Sequence, residues 1–489
     1  MSGLKKLAGQ TAIYGLSSIV GRLLNYLLVP IYTAIFVNTA DYGVVSELYA
    51  YVAFFIVFLT FGMETTFFRF IHLKEDKESV YNNAFLSIAS LNVLFLLVLF
   101  IFHSSISSAM LYADHPEYVI LLGLIVVIDA VTSLPLAKLR AEEKAKQFAL
   151  IQLSSIFTNI FLNLLFLFVF FDPAVDDASK GVLYIFIANL ISSLVKPLML
   201  WRSFTTIYFK FDVVLVKEML VYALPIVIAG FAGIINEVLD RILLKQLLNN
   251  ATLVPSSFHG SPLRYAESQV GIYSASYKLA MLVTIFLQAF RYAAEPFFFA
   301  HAKTDSDRKI YSRVMNYLVA ALALCFLTVT LNIDFFKHFI SNSVYYEGLK
   351  VVPILLLGNI FLGVYMNQSI WYKLSGQTKF GAYISIVGAM CTVTLLYILI
   401  PKFGYIAAAW TTMSVYAGQM IASYLLGKKY YPIHYNLRKT GFYFILSLLL
   451  YFVAHIIHFE ANSTKYLFNN GLILIFVALV WFIEKPLRK

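Results

Sequence analysis

Charge is what this sequence has least of. Of 489 residues only 13% are Asp, Glu, Lys or Arg, against roughly 25% in an average soluble domain. A soluble chain of this length would divide into two or three domains, and the polar surface to cover them is missing. Cysteine is nearly absent as well. Cys325 and Cys391 are the only two, both lie inside apolar runs, and they match no metal or redox spacing, which leaves them as packing residues. Signature loops are missing too. No G-x-x-x-x-G-K-[ST] occurs to cradle a nucleotide, no H-E-x-x-H to hold zinc and no G-x-S-x-G elbow, and the nine His do not cluster. The chain therefore reads as neither an enzyme nor a nucleotide-driven pump, with no resident metal or cofactor.

What is present is apolar: 60% of the residues are hydrophobic and 17% aromatic. A hydrocarbon core about 30 Å thick takes roughly 20 apolar residues per crossing helix. About fourteen runs of that kind occur, from Thr11 to Val37 through to Tyr466 to Ile483. The first is no cleaved signal peptide, because Arg22 and Asn25 interrupt it and no small-residue cleavage site follows. The fold class is all-α, a polytopic membrane protein. Its excess of 37 basic over 26 acidic residues reads as membrane orientation and not as a nucleic-acid surface. Most Lys and Arg fall in the connections after even-numbered helices, such as Arg69 to Lys77, Lys138 to Lys146, Arg291 to Arg313 and Lys373 to Lys379. Cytoplasmic loops carry the basic excess, so both termini are expected in the cytoplasm. The opposite side has short links and one stretch from Leu248 to Gln269, too small for an independent domain.

The two halves share a motif. Tyr42-Gly43-Val44-Val45-Ser46 opens the second helix and Val270-Gly271-Ile272-Tyr273-Ser274 the eighth, and the loops Leu139 to Phe148 and Leu374 to Phe380 follow helices four and ten. The period is six helices, which predicts parallel repeats of the kind found in secondary transporters. The expected organisation is a six-helix lobe over 1–210, a second over 211–432, and two additional helices over 433–489.

Charges inside the helices are the candidate functional groups, because they are costly in lipid and face a protein interior or a wet cavity. Arg22, Asp129 and Lys278 lie deepest. The alternative for the first two is a static pair, Arg22 with Asp129. Helix seven carries Asn236, Glu237, Asp240, Arg241 and Lys245, with 237, 241 and 245 spaced for salt links along one face and the last two in snorkelling reach of the interface. Lys196, beside Pro197, is likewise in snorkelling reach. Pro225, Gly230 and Gly233 interrupt helix seven and mark it as a hinge, the proline most of all.

These residues resemble a known family. Gly9-Gln10-Thr11 to Pro30, Asp41-Tyr42-Gly43, Phe61-Gly62-Met63-Glu64-Thr65 with Arg69, Leu224-Pro225 with Asp240-Arg241, and Gly271-Ile272-Tyr273-Ser274 with Tyr277-Lys278 are similar to bacterial polysaccharide transporters. These are the O-antigen-type flippases of the multidrug, oligosaccharidyl-lipid and polysaccharide exporter superfamily. The resemblance spans the chain. It implies two six-helix lobes around a cavity that carries an undecaprenyl-pyrophosphate-linked oligosaccharide to the outer leaflet of the inner membrane by alternating access, for polysaccharide (lipopolysaccharide, O-antigen) biosynthesis. It also implies contact with membrane lipids and with polysaccharide polymerase machinery. By the same resemblance Arg22, Arg241 and Lys278 are the cavity cations that meet the anionic headgroup. Asp129, Glu237 and Asp240 make the interior mixed in charge and leave room for a coupling ion, proton or sodium. The competing expectation is a cation-coupled multidrug antiporter of the same superfamily, against which mid-depth Arg22 and Lys278 argue.

Overall fold

The computed structural model describes residues 19–301, 308–457, 459 and 461–484. Twelve helices among them are long and apolar enough to cross a membrane. In chain order the helices are α1 (Ile19–Ile35, shorter than a full span), α2 (Thr39–Leu73), α3 (Lys77–Ala109), α4 (Pro116–Ala141), α5 (Ala145–Phe170), α6 (Ala178–Met199) and α7 (Val213–Leu248). Then come α8 (Pro262–His301), α9 (Lys309–Leu331), α10 (Ser343–Leu374), α11 (Lys379–Phe403), α12 (Tyr405–Tyr430), α13 (Leu437–Ile456) and α14 (Asn462–Glu484). α12 is not among the twelve. It is 26 residues long and buries Thr411, Thr412, Gln419 and Ser423 among its packing residues, so its length suffices while its composition is more polar. With α1 and α12 added, each apolar run of the sequence has its helix. The beginning of the first run, Thr11 to Ser18, lies outside the described residues, as do Lys5, Lys6 and Lys485 to Lys489.

Local chemistry sets the helix starts. Asn38 accepts a hydrogen bond from the Ala40 amide, Asp76 from Ser79, Asp177 from Ser179, and Asp212 from Val214 and Leu215. Each short oxygen satisfies an amide that the first turn would leave bare. α2 is broken at Phe61 and Gly62, where both residues take the left-handed conformation (φ +46° and +62°). That conformation suits glycine and strains phenylalanine.

Two compact units are formed, residues 1–271 and 272–489. In the first, α7 packs along α2, α2 and α3 pack on α4, and α4 packs on α6, with α5 against α6. Its core near the break in α2 joins Met63, Phe67, Val80, Ala84, Leu134 and Met219. In the second, α10 packs on α12, α12 on α11, and α9 on α10, while the final pair, α13 and α14, lies against α9.

The repeated motif meets itself within the first unit. A Cβ on Gly43 would collide with the carbonyl of Glu267, and a Cβ on Gly271 with the carbonyl of Thr39. In each case the obstructing carbonyl lies four residues before the opposing glycine. This reciprocity is how two copies of one motif face each other across a local two-fold axis. Beside it the Thr39 and Ser268 hydroxyls share a hydrogen bond of 2.5 Å.

Candidate functional site

α1 carries Arg22. Gly21 is buried against Ile156 of α5, and Arg22, the next residue, is exposed. Among the described residues Arg22 makes no ion pair, so the alternative that it pairs with Asp129 is corrected by the structure. Asp129 on α4 instead accepts from Lys196 on α6 at 2.8 Å, both side chains partly buried. Lys196 therefore reaches sideways to an acid. Next to Arg22 runs a polar seam: Asn159 donates to Asn25 at 3.4 Å, Asn163 to the Asn159 carbonyl at 2.8 Å, and Tyr32 to Asn163 at 2.9 Å.

α7 does not carry the salt-linked ladder that its spacing allows. Glu237 is exposed. Arg241 turns to its neighbour, donating Nη1–H to Asp240 at 3.0 Å and to the Glu237 carbonyl at 2.9 Å, and both Asp240 and Arg241 are buried. Lys245 does not snorkel either. Its side chain is 0% exposed, because Asn236, Asp240, Leu244 and Leu248 form the buried stripe of α7, with Arg241 and Lys245 beside it. α7 runs unbroken through Pro225, Gly230 and Gly233. A Cβ on Gly230 would press on Val57 of α2, whereas Gly233 faces open space.

Lys245 belongs to a buried network that sequence reasoning missed. Its ammonium lies 3.0 Å from Glu47 and 3.6 Å from Glu267, donates to the Met110 carbonyl at 3.2 Å and sits 3.2 Å above the Tyr112 ring. Tyr112 donates to the same Glu47 oxygen at 2.5 Å. Burial and the Glu47 charge both push the Tyr112 phenol well above its ordinary pKa. Arg264 continues the chain, reaching Glu267 at 3.2 Å and Asp41 at 2.6 Å. The network thus ties α2 to α7, to the start of α8 and to the α3–α4 connection, at the end of the unit that carries the connection between α7 and α8. The one sequence signal for it was the placement of Glu47 inside the apolar run of α2.

Lys278 is half-buried on α8 in the second unit and has an interaction partner. Among the described residues no group of His, Cys, Asp or Glu is arranged to hold a metal.

Helices long enough to span a bilayer, with charges sequestered among them, define a polytopic all-α membrane fold. Solved structures place that fold. The chain is similar to the lipid II flippase MurJ in its inward closed conformation (TM-score 0.72, 14% identity, 95% of this chain and 98% of that one). It is also similar to an inward-facing multidrug resistance MATE family transporter of the MOP superfamily (TM-score 0.56, 14% identity, 86% and 94%). A third likeness is to the MATE multidrug transporter DinF-BH (TM-score 0.60, 16% identity, 87% and 95%). A relative from Haemophilus influenzae, described as an uncharacterized membrane protein, is 23% identical over 392 residues, 78% of this chain and 87% of the relative. Residues 7–300 match the model of the polysaccharide biosynthesis protein family, and the chain belongs to that family.

Proposed function

We propose that the protein is a flippase that carries an undecaprenyl-pyrophosphate-linked oligosaccharide from the cytoplasmic to the outer leaflet of the bacterial inner membrane by alternating access, for polysaccharide biosynthesis. The observation that carries this reading is Arg22, an exposed guanidinium inside an apolar helix that pairs with none of the described acids. Such a group is costly in lipid unless it meets water or an anion, and its planar fork matches two phosphate oxygens at once. Family membership and the likeness to a protein named a lipid II flippase support a lipid-linked cargo. In this proposal Lys278 and Arg241 assist. Pro225, Gly230 and Gly233 let α7 bend, the 1–210 and 211–432 lobes move, and both termini stay in the cytoplasm with polymerase machinery as a neighbour. Glu237 is the carboxylate that suits a coupling ion, because Asp129 and Asp240 are held by Lys196 and Arg241.

Replacing Arg22 with Ala is expected to abolish export with membrane-inserted protein unchanged. Arg22→Lys restores it only in part, since a point charge cannot reproduce the fork. Full export by Arg22→Ala removes the residue from the site.

The exposed Glu237 and the likeness to MATE multidrug transporters favour a second reading, a cation-coupled drug antiporter. Efflux of lipophilic cations that is lost in Glu237→Gln and kept in Arg22→Ala would establish it.

A further inference from the structure

The buried network of the first unit is not balanced in charge. Three carboxylates, Asp41, Glu47 and Glu267, meet two cations, Lys245 and Arg264. Arg264 lies outermost, its side chain 39% exposed, and it joins Asp41 to Glu267. Glu47 and Lys245 are both 0% exposed. With every group ionised one negative charge is left over in a part of the molecule that water does not reach. An uncompensated charge there is far more costly than a neutral polar group.

The carboxylates do not share that excess equally. Glu267 presents Oε1 to Lys245 and Oε2 to Arg264, so each of its oxygens faces a cation. Asp41 is held by Arg264 at 2.6 Å. On Glu47 one oxygen carries everything: Oε2 accepts from Tyr112 at 2.5 Å and lies 3.0 Å from Lys245. Its Oε1 is buried with no hydrogen-bond partner. A proton can therefore settle on Oε1 without breaking either contact that ties Glu47 to its neighbours. The resulting O–H lacks an acceptor, but that costs less than a charge lacking a counter-charge. The groups that face Glu47 are Lys245 from α7, Glu267 from α8, Tyr112 from the α3–α4 connection and, one turn on along α2, Tyr51. Charges on α4 and α6 are engaged elsewhere, Glu117 with His115 and Asp129 with Lys196.

We infer that this network is a proton-binding site, in which Glu47 takes up one proton from solution on Oε1 and brings the network to two carboxylates against two cations. Uptake strengthens the tie between α2, α7, the start of α8 and the α3–α4 connection. The site lies at the end of the unit that carries the α7–α8 connection, which the positive-inside rule sets away from the cytoplasm, so the acidity it reads is that of the outer face. It uses neither Arg22 nor a cargo and stands apart from the transport reading. The sign of the effect follows from linkage. A folded protein that keeps a proton which an exposed glutamate would release gains stability as pH falls toward the ordinary glutamate value of about 4.3.

The test uses purified full-length protein in detergent, with infrared difference spectra and thermal melting between about pH 9 and about pH 5, above the ordinary glutamate range. On acidification wild-type protein is expected to gain a protonated-carboxyl band that shifts in heavy water, and Glu47→Gln to lack it. Because the amide imitates the protonated acid, Glu47→Gln should melt no lower than wild type at the alkaline end. Wild type should then gain on it as pH falls, a difference in which the nine His common to both proteins cancel. Tyr112→Phe takes a donor from the ionised form and should move the titration to higher pH by about one unit or more, the scale of one hydrogen bond to a charged group. Four results overturn the inference: no such band in wild type, the same band persisting in Glu47→Gln, a melting difference that does not change with pH or favours wild type at the alkaline end, and a Tyr112→Phe titration that stays put or moves to lower pH.

Discussion

Lys245 shows what a single residue does in this fold. Its ammonium is shut away from solvent and shared by two carboxylates, Glu47 and Glu267. Burying such a set gains little net stability, because desolvation offsets the attraction, but removing one partner strands the others. Lys245→Met is therefore expected to cost about 3–5 kcal/mol, read as a lower melting temperature and reduced yield of folded protein. Adding Glu47→Gln to that variant should return part of the loss, since contacting residues are not additive. An additive double variant would show that the two do not interact. The sequence revealed which charges lie at depth and not whom they meet. Asp129 and Lys196 are on different helices, and so are Glu47, Lys245 and Glu267, so their pairing depends on how each helix is rotated about its axis. Spacing within α7 pointed to a ladder through 237, 241 and 245, but adjacent Asp240 competes for Arg241 and the packing of Lys245 against α2 takes it out of the row. Arg22 was legible because it needs no partner to be noticed.

Elements were the most legible level. Runs of apolar residues bounded by charge fixed where helices lie, and the structure caps four of the starts with Asn38, Asp76, Asp177 and Asp212. The breaks were less visible. Phe61 is strained at φ +46°, at a break marked only by the glycine that follows it. The contact of Gly43 with Gly271 turns a repeated letter into a physical requirement, because each backbone occupies the space of the other's missing Cβ. Gly43→Ala should force α2 and the start of α8 apart and disturb the nearby Thr39–Ser268 and Glu47–Lys245 contacts, lowering the melting temperature. Gly233→Ala, with open space around its Cβ, should leave packing intact and, in a helix interior, raise stability by about 0.5–1 kcal/mol. Equal effects of the two would contradict the packing account.

At the scale of the whole molecule, composition already required a polytopic membrane protein, the structure and its solved neighbours agree on an all-helical membrane fold, and the chain belongs to the polysaccharide biosynthesis protein family. Cargo is a finer question than fold, since a protein named a lipid II flippase and multidrug transporters are both similar to this chain. The most direct measurement reconstitutes the purified protein into vesicles loaded with a fluorescent undecaprenyl-pyrophosphate-linked oligosaccharide in one leaflet and follows its exposure to a glycan-cleaving enzyme on the other side. Wild-type protein is predicted to deliver the labelled glycan across the bilayer, and Arg22→Ala, inserted to the same level, to leave it protected. Protection of the glycan by wild-type protein, alongside gradient-driven movement of a lipophilic cation in the same vesicles, would contradict the flippase account.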